Sequence, residues 1–507
     1  MTRHPRQMCN RRGWVSAAWE ARWFPGTMRM RRWSVCAAGF LAVAAWMPVL
    51  GQQPQDPSAP AQDSAAPSTP VDPSGARPAA ANVVESERWN LFYQATSIGD
   101  DHGVFPAQYS GPFSLSNTPE RDVSITTTLF TGYRAAEDTL FYFDPEIAGG
   151  RGFSGVNGLA NASNGELPRV ASPTPTPYLA RLYIQQDFAI GAKREAVTSD
   201  ANQLGGTRPE TRYTIVAGRF TLTDFFDNNN YSHDPRSQFM GWAIMYNGAW
   251  DYPADTRGYT WGWMHELHTR RWSLRYASAA VPKVANGMRF DRRLFRDRGD
   301  MVEGQIDFAP HAHPGAIRAL SYWNHTDSGS YAEALEIAER TGTRPDVIAT
   351  REIGRLKYGF GISWDQEIVE GLGVFGRLGW NDGKTESFIF TAMDRLATGG
   401  VSFRGKRWHR PQDVAATELT VGGISGVHAL YLARGGYDFL IGDGALAYAP
   451  EYVWETYYNA KLFHGFFAGL DAQHVNNPAY NQARGPLWIY SLRLHIELSK
   501  DDFLRKH

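Results

Sequence analysis

Cysteine and long apolar runs are both scarce in this chain of 507 residues. Its two cysteines, Cys9 and Cys36, exclude a disulfide framework or a zinc-ribbon array. With 51 basic and 52 acidic residues there is no excess of positive charge, so we expect no nucleic-acid partner. Only one stretch approaches the roughly 20 apolar residues of a membrane-crossing helix, which excludes a helical polytopic membrane protein.

Aromatic residues and glycine, by contrast, are abundant. Aromatics make up 13% of the chain, with 17 Trp and 23 Tyr, and there are 50 Gly. A chain of this size and composition can bury a large soluble core or close a large β-barrel. The hydrophobic periodicity has to decide between the two.

The one long apolar stretch has the parts of a secretory signal peptide. A basic segment that starts at Met28 precedes an apolar run over 34–50, and a motif of small or permitted residues ends at Gly51. We expect residues 1–51 to be a leader that is translated from Met28 or Met30 and cleaved near Gly51. A single membrane anchor is the alternative, but the run is short for one. Cleavage there removes every cysteine, which suits an oxidising envelope compartment.

The rest of the chain divides into three parts by composition. Residues 52–84 are rich in Pro, Ala, Gln and Ser, and we expect an extended, disordered linker. Residues 85–498 carry the strand-like periodicity of the folded part. Residues 499–507 form a polar C-terminal tail.

Alternation with a period of two is clearest in the last segment, Trp488–Leu498. One parity is entirely apolar or aromatic, whereas the other contains Ser491, Arg493, His495 and Glu497. A strand of this length crosses a bilayer at a tilt. We count roughly 16 to 18 such segments between Trp89 and Leu498, joined by Gly, Asn, Asp and Pro turns.

These features together predict an all-β fold, a transmembrane antiparallel β-barrel of about 16 strands in a bacterial outer membrane. The apolar parity would face outer-membrane lipid and the polar parity a water-filled lumen. A secreted protein with several β-sheets is the alternative. Arg, carboxylates and aromatics on one lumen wall are what a sugar channel needs, because hydroxyls exchange hydrogen bonds with charged groups. For any single residue, a generic solvated wall is the competing interpretation.

Motifs for catalysis or metal binding are incomplete. His265-Glu266-Leu267-His268 is one residue too short for a zincin signature. The oxygen-rich segment 224–234 lacks the Gly and terminal Glu of a calcium loop, so a turn is the simpler interpretation. No nucleophile elbow or phosphate-binding loop is found. We therefore predict no enzyme activity, catalytic residue, metal or cofactor.

Several stretches resemble the carbohydrate-selective porins of bacterial outer membranes, the OprB family. The most specific are GRFTLTDFFDNNNYSHD at 218–234 and NGAWDYPADTRGYTWG at 247–262. The resemblance runs in order over roughly 88–498, although the chain departs from it by ending in a polar tail instead of an aromatic residue. Further similar stretches lie at 109–116, 140–166, 180–183, 380–387, 442–451 and 476–486.

The resemblance implies a 16-stranded barrel narrowed by inward loops, through which small neutral sugars such as glucose diffuse passively into the periplasm. It also implies trimers, and it gives Asp144, Glu146, Arg181 and Arg219 as candidates for the pore constriction. Parity places Arg181 and Arg219 on polar faces and the two carboxylates on one shared face, and it alone adds Arg377. The alternatives are a general or export-type porin without sugar preference, an outer-membrane barrel enzyme, and a soluble glycan-binding β-protein.

Overall fold

A closed β-barrel forms the body of the molecule. The computed structural model describes residues 86–167 and 174–504. Sixteen antiparallel strands form one sheet that closes where β1 pairs with β18, and β5 and β6 form a separate two-stranded sheet. The prediction of an antiparallel barrel of about 16 strands is confirmed.

The described residues contain the following strands: β1 (Trp89–His102), β2 (Glu120–Ala136), β3 (Thr139–Gly149), β4 (Thr176–Ala189), β5 (Arg194–Val197), β6 (Gly206–Pro209), β7 (Arg212–Phe220), β8 (Thr260–His268), β9 (Trp272–Ala280), β10 (Arg298–Phe308), β11 (Gly315–Ser328), β12 (Glu352–Val369), β13 (Leu372–Asn381), β14 (Arg395–Arg404), β15 (Val414–Gly423), β16 (Glu451–Phe463), β17 (Phe466–Asn476) and β18 (Leu487–Ser499). The helices are α1 (Trp242–Met245), α2 (Tyr331–Thr341), α3 (Gly426–Ala433) and α4 (Lys500–Leu504).

The last strand shows why this sequence forms a membrane barrel. In β18, Trp488, Tyr490 and Leu492 are exposed on the outside, whereas Ser491 and Arg493 are buried inside. Apolar side chains on the outer face are stable against lipid, and closure leaves no unpaired strand edge in the hydrocarbon. β18 ends at Ser499, and α4 occupies the first part of the predicted polar tail.

The predicted leader (1–51) and linker (52–84) lie outside the described residues and stay predictions. In the part of the chain that the structure describes, no helix combines the length and the apolar character needed to cross a membrane.

The two ends of the barrel differ in the length of their connections. At the end where β1 starts and β18 finishes, most turns are short, such as 137–138 between β2 and β3. The other end carries long loops, such as 221–259 between β7 and β8. Outer-membrane barrels have short periplasmic turns and longer extracellular loops. The end with the chain termini is therefore the periplasmic one.

The loop 221–259 folds into the lumen and is fixed there by a buried arginine. Arg377, on the inner face of β13, is fully buried and bonds Asp227 through its Nε at 2.9 Å. Its other nitrogens donate to the carbonyl oxygens of Ile244 (2.7 Å), Met245 (3.2 Å) and Ser232 (2.5 Å). One wall residue thus holds both ends of the loop's central segment, which includes α1.

A second buried cluster joins three extracellular loops. His428 of α3 lies between Asp394 (Nδ1 to Oδ2, 3.1 Å) and Asp438 (Nε2 to Oδ2, 3.2 Å) and stacks on Tyr331 of α2 with ring centroids 4.2 Å apart. Tyr331 donates its hydroxyl to Asp438 at 2.8 Å. Burial alone would lower the pKa of His428, but its hydrogen bonds to the two aspartates outweigh burial and raise the pKa to about 9.

We predict that this histidine keeps the extracellular loops closed in a pH-dependent way. The pKa is raised from 6.5, so the contribution is complete below pH 6.5 and is lost as the pH rises through about 9. His428→Asn should weaken loop closure by roughly 3 kcal/mol at neutral pH, because it leaves two buried carboxylates without their cation. Trypsin cleavage at the exposed Arg340 and Arg434 measures the closure.

The matched control is His464→Gln, which removes an exposed histidine that pairs with Asp502 at the periplasmic end. Wild type should become trypsin-sensitive as the pH passes about 9, and His428→Asn should be sensitive at every pH. Equal cleavage of His428→Asn and the control at neutral pH would contradict the prediction.

Candidate functional site

A cavity of about 570 Å³ lies in the lumen beside the inward loop; we call it the lumen cavity. Three parts of the chain enclose it: the inner wall of β3 and β4, the loop 221–259, and the segment that joins β4 to β7. Its wall combines charged and aromatic side chains, including Glu146, Glu166, Arg181, Asp224, Arg236, Arg257, Tyr178, Trp242, Tyr246, Tyr252, Tyr259 and Phe390.

Arg181 is the charged centre of the β4 wall. It points inward and forms a two-pronged ion pair with Asp224, with both N···O distances at 2.7 Å. Asp144 on β3 lies behind it, 3.5 Å from Nη1, and the Tyr259 ring lies beneath its guanidinium at 5.4 Å. A planar guanidinium held by a carboxylate fork has a fixed orientation. Arg181 therefore presents a rigid polar edge to the cavity.

Arg236 bridges the inward loop to the opposite part of the wall. Its Nη2 lies 3.1 Å from Glu146 and its Nε 3.0 Å from Glu166. Its Nη1 donates to Gln94 at 3.0 Å, and Tyr178 donates its hydroxyl to Glu146. Burial alone would lower the pKa of Arg236, but the two carboxylates outweigh it and raise the pKa, so the group stays charged.

Aromatic rings form the other side of the cavity. Phe390 packs on Tyr252 with centroids 4.8 Å apart and stacks nearly parallel on Trp242 at 5.7 Å. Across from them, the Arg257 guanidinium lies 4.0 Å above the Tyr178 ring. The cavity therefore offers flat apolar surfaces beside fixed hydrogen-bonding groups.

The structure separates the five predicted constriction residues. Glu146 and Arg181 line the lumen cavity. Asp144 is fully buried behind Arg181, and Arg377 is fully buried beneath the inward loop. Arg219 bonds Asp255 at 2.7 Å and the Leu179 carbonyl at 2.7 Å, outside the cavity wall.

For Arg219 the structure also reverses the expected strand parity. Its neighbours across the sheet, Leu182 and Trp261, face outward, whereas Val216 and Phe220 of the same strand are buried inside. The physical reason is that the inner face of β7 meets aromatic residues of the loop: Phe220 packs on Phe225 with centroids 5.6 Å apart. An inner face packed against protein is apolar, so polarity alone misidentifies it.

Two parts of the site escape the sequence prediction. Arg236 and Arg257 lie in a loop without periodicity, and the signal that could have found them is their position beside the two most specific family-like stretches. The second part is the hairpin β5–β6, which folds into the lumen from the periplasmic end. Asn90 donates to the carbonyls of Asp200 (3.2 Å) and Gln203 (2.8 Å), and these tip residues line the cavity.

The carboxylates of the cavity are neutralised by arginines. Within residues 86–167 and 174–504, no group of three His, Cys, Asp or Glu side chains is arranged to hold a metal ion.

A closed 16-stranded barrel with an apolar outer face and a charged lumen cavity defines a porin of the bacterial outer membrane. The model of the carbohydrate-selective porin family, OprB, matches residues 113–498, and the chain belongs to this family. No curated protein matches the sequence.

Solved porin structures show the same fold at low sequence identity. The high-pH structure of Pseudomonas putida OprB is 13% identical, with a TM-score of 0.59, and the match covers 81% of this chain and 94% of that one. The low-pH structure of the same protein matches with a TM-score of 0.42 at 12% identity, over 81% and 92%. OccK2 of Pseudomonas aeruginosa matches with a TM-score of 0.40 at 8% identity, over 81% and 98%.

We predict that Arg181 contributes directly to solute binding in the channel. Arg181→Ala removes a charged donor from the cavity and leaves Asp224 without its partner, so block by sugar should weaken about tenfold and cation preference should rise. Single-channel current with graded sugar and the reversal potential in a KCl gradient measure both effects. Arg181→Lys, which keeps the charge but loses the fork, should fall between the two.

Arg355→Ala is the matched control, because it removes an arginine that pairs with Glu333 outside the cavity. It should leave sugar block and ion preference unchanged. If Arg181→Ala behaves like this control in both measurements, Arg181 does not act in the channel.

A further prediction concerns the hairpin β5–β6 as a periplasmic narrowing. Ile190 and Thr211 are joined by a backbone hydrogen bond of 2.8 Å, so an Asn-Gly turn can replace residues 191–210. The deletion should raise conductance and the size limit for neutral polymers, while sugar block by the Arg181 side persists. Asn90→Ala, which only releases the hairpin tip, should raise conductance less. Unchanged conductance in both variants would show that the hairpin does not narrow the pore.

Proposed function

We propose that this porin lets small neutral sugars, glucose among them, diffuse passively into the periplasm through the lumen cavity. The observation that carries the proposal is the pairing of a rigid ionic edge with an aromatic surface across one cavity. A pyranose has the matching shape, with hydroxyls around its rim and apolar C–H faces. The hydroxyls exchange hydrogen bonds with charged groups, and the faces stack on rings.

The charge balance of the cavity supports a neutral solute. Arg181 is matched by Asp224, and Arg236 by Glu146 and Glu166. Paired charges leave a small net field, so the lumen neither attracts nor repels one sign of ion strongly. The dipoles of the pairs remain available to hydroxyl groups, which both donate and accept.

In this proposal the five predicted residues have different tasks. Glu146 and Arg181 contact the sugar directly, and Arg236 joins them. Asp144 fixes the orientation of Arg181 from behind. Arg219 and Arg377 act through the loops that they hold and never touch the solute.

Planar-bilayer conductance of the refolded chain tests the proposal, with glucose, a disaccharide and a charged solute titrated in turn. We expect stable channels whose current is blocked by glucose at roughly millimolar concentration, the affinity range of weak, rapidly exchanging sites. Both alternatives have their own outcome. Stable channels with no response to sugar indicate a general or export-type porin, and preferential block by the charged solute indicates an ion-selective one.

An aromatic variant separates specific sugar block from simple pore filling. Phe390→Ala removes a ring that packs on Tyr252 and Trp242, so the stacking surface is lost while the ionic edge remains. Sugar block should weaken by roughly threefold to tenfold, the usual worth of an aromatic contact, and KCl conductance should change little. The outward-facing Trp488→Ala is the control and should have no effect on block.

A further inference from the structure

The extracellular loop between β9 and β10, residues 281–297, presents free positive charge; we call it the rim loop. Lys283, Arg289, Arg292 and Arg296 are exposed, and within the described part of the chain none of them pairs with a carboxylate. This is unusual here, since the neighbouring Arg293 pairs with Asp291 (2.6 Å), Asp297 (2.9 Å) and Asp327 (3.4 Å). Four unpaired cations in one short loop require an anionic partner or bulk water.

Apolar side chains are exposed among these cations. Val284, Met288 and Leu294 are about half exposed, and Phe295 is 95% exposed. The loop backbone is nevertheless well held, since Asp291 donates to the Val281 carbonyl at 2.9 Å and Lys283 to the Arg289 carbonyl at 2.8 Å. The apolar exposure is therefore a property of an ordered surface, and a surface that mixes cations with exposed apolar groups is suited to a lipid headgroup boundary.

Contacts on the outer wall place this surface next to the lipid belt. Arg298 shares the outward parity of β10 with Ile306, which is exposed to lipid. Its guanidinium donates to the Phe295 carbonyl at 3.1 Å and to Asp300 at 2.8 Å. Tyr276 on the outer face of β9 donates to the same Asp300 at 3.0 Å. A continuous chain of contacts thus leads from Phe295 down to the lipid-facing wall.

We propose that the rim loop binds phosphate groups of lipid molecules in the outer leaflet, with Arg289, Arg292 and Arg296 contacting phosphate oxygens and Leu294 and Phe295 entering the acyl region. Guanidinium groups pair with phosphate in two-pronged geometry. Each cation near an anionic membrane surface adds to the attraction. The cations lie at the lipid side of the rim, whereas the channel arginines are already paired, so the solute that enters the pore is not their partner.

Binding of diphosphoryl lipid A to the refolded full chain in mixed detergent micelles tests this proposal. Arg292→Gln with Arg296→Gln should weaken binding by roughly 25-fold, the loss expected for two membrane-facing cations. The matched control is Arg270→Gln with Arg271→Gln, which removes two exposed arginines from the periplasmic turn between β8 and β9. The control should bind lipid A as wild type does, and both variants should keep wild-type conductance, which verifies the fold.

Three results would overturn the proposal. Equal lipid A binding by the two double variants would show that the rim loop is not the site. Displacement of lipid A by millimolar inorganic phosphate would show a phosphate site without a lipid component. A change in oligomeric state with unchanged lipid binding would assign the rim loop to contacts between copies of this chain.

The apolar half of the surface has its own test. Leu294→Ser with Phe295→Ser keeps every cation, so binding of diphosphoryl lipid A should fall by about tenfold for two lost apolar side chains. Retained wild-type affinity in this variant would contradict insertion into the acyl region.

Discussion

Closure of the sheet is the constraint on which the rest of this structure depends. In lipid every backbone N–H and C=O must be paired within the protein, and pairing of β1 with β18 from Phe92–Ser499 to His102–Ile489 removes the last free edge. A barrel of this strand number encloses an aqueous channel wider than its side chains can fill. Narrowing therefore has to come from segments that fold inward, and each of them must be anchored to the wall.

Most buried charges in the lumen provide that anchoring. Arg377 holds the loop 221–259, and Glu455 on β16 accepts backbone hydrogen bonds from Met240 (2.6 Å) and Gly241 (3.1 Å) of the same loop. A buried ion pair adds little net stability, but losing one partner costs about 3–5 kcal/mol. These charges therefore fix where the loop sits more than they strengthen the barrel, and a charged lumen residue is not by itself a residue that contacts solute.

This distinction explains how far the sequence could predict the molecule. The strands and their outward faces follow from period-two alternation, because lipid demands an apolar residue at each outward position of β18. Arg181 and Arg377 have the same inward parity, yet only Arg181 lines the cavity. The difference arises from contacts with a loop more than a hundred residues away in the chain, which periodicity does not encode.

The hairpin β5–β6 adds an argument about selectivity itself. It narrows the lumen from the periplasmic end, whereas the loop 221–259 enters from the extracellular end, and the two are held by different wall residues, Asn90 and Arg377. Two narrowings in series divide the work: the tighter one sets the size limit, and the one with the binding groups sets the chemical preference. Because Arg181 and Asp224 lie between them, the lumen cavity keeps its ionic edge and its aromatic surface whichever narrowing is the tighter.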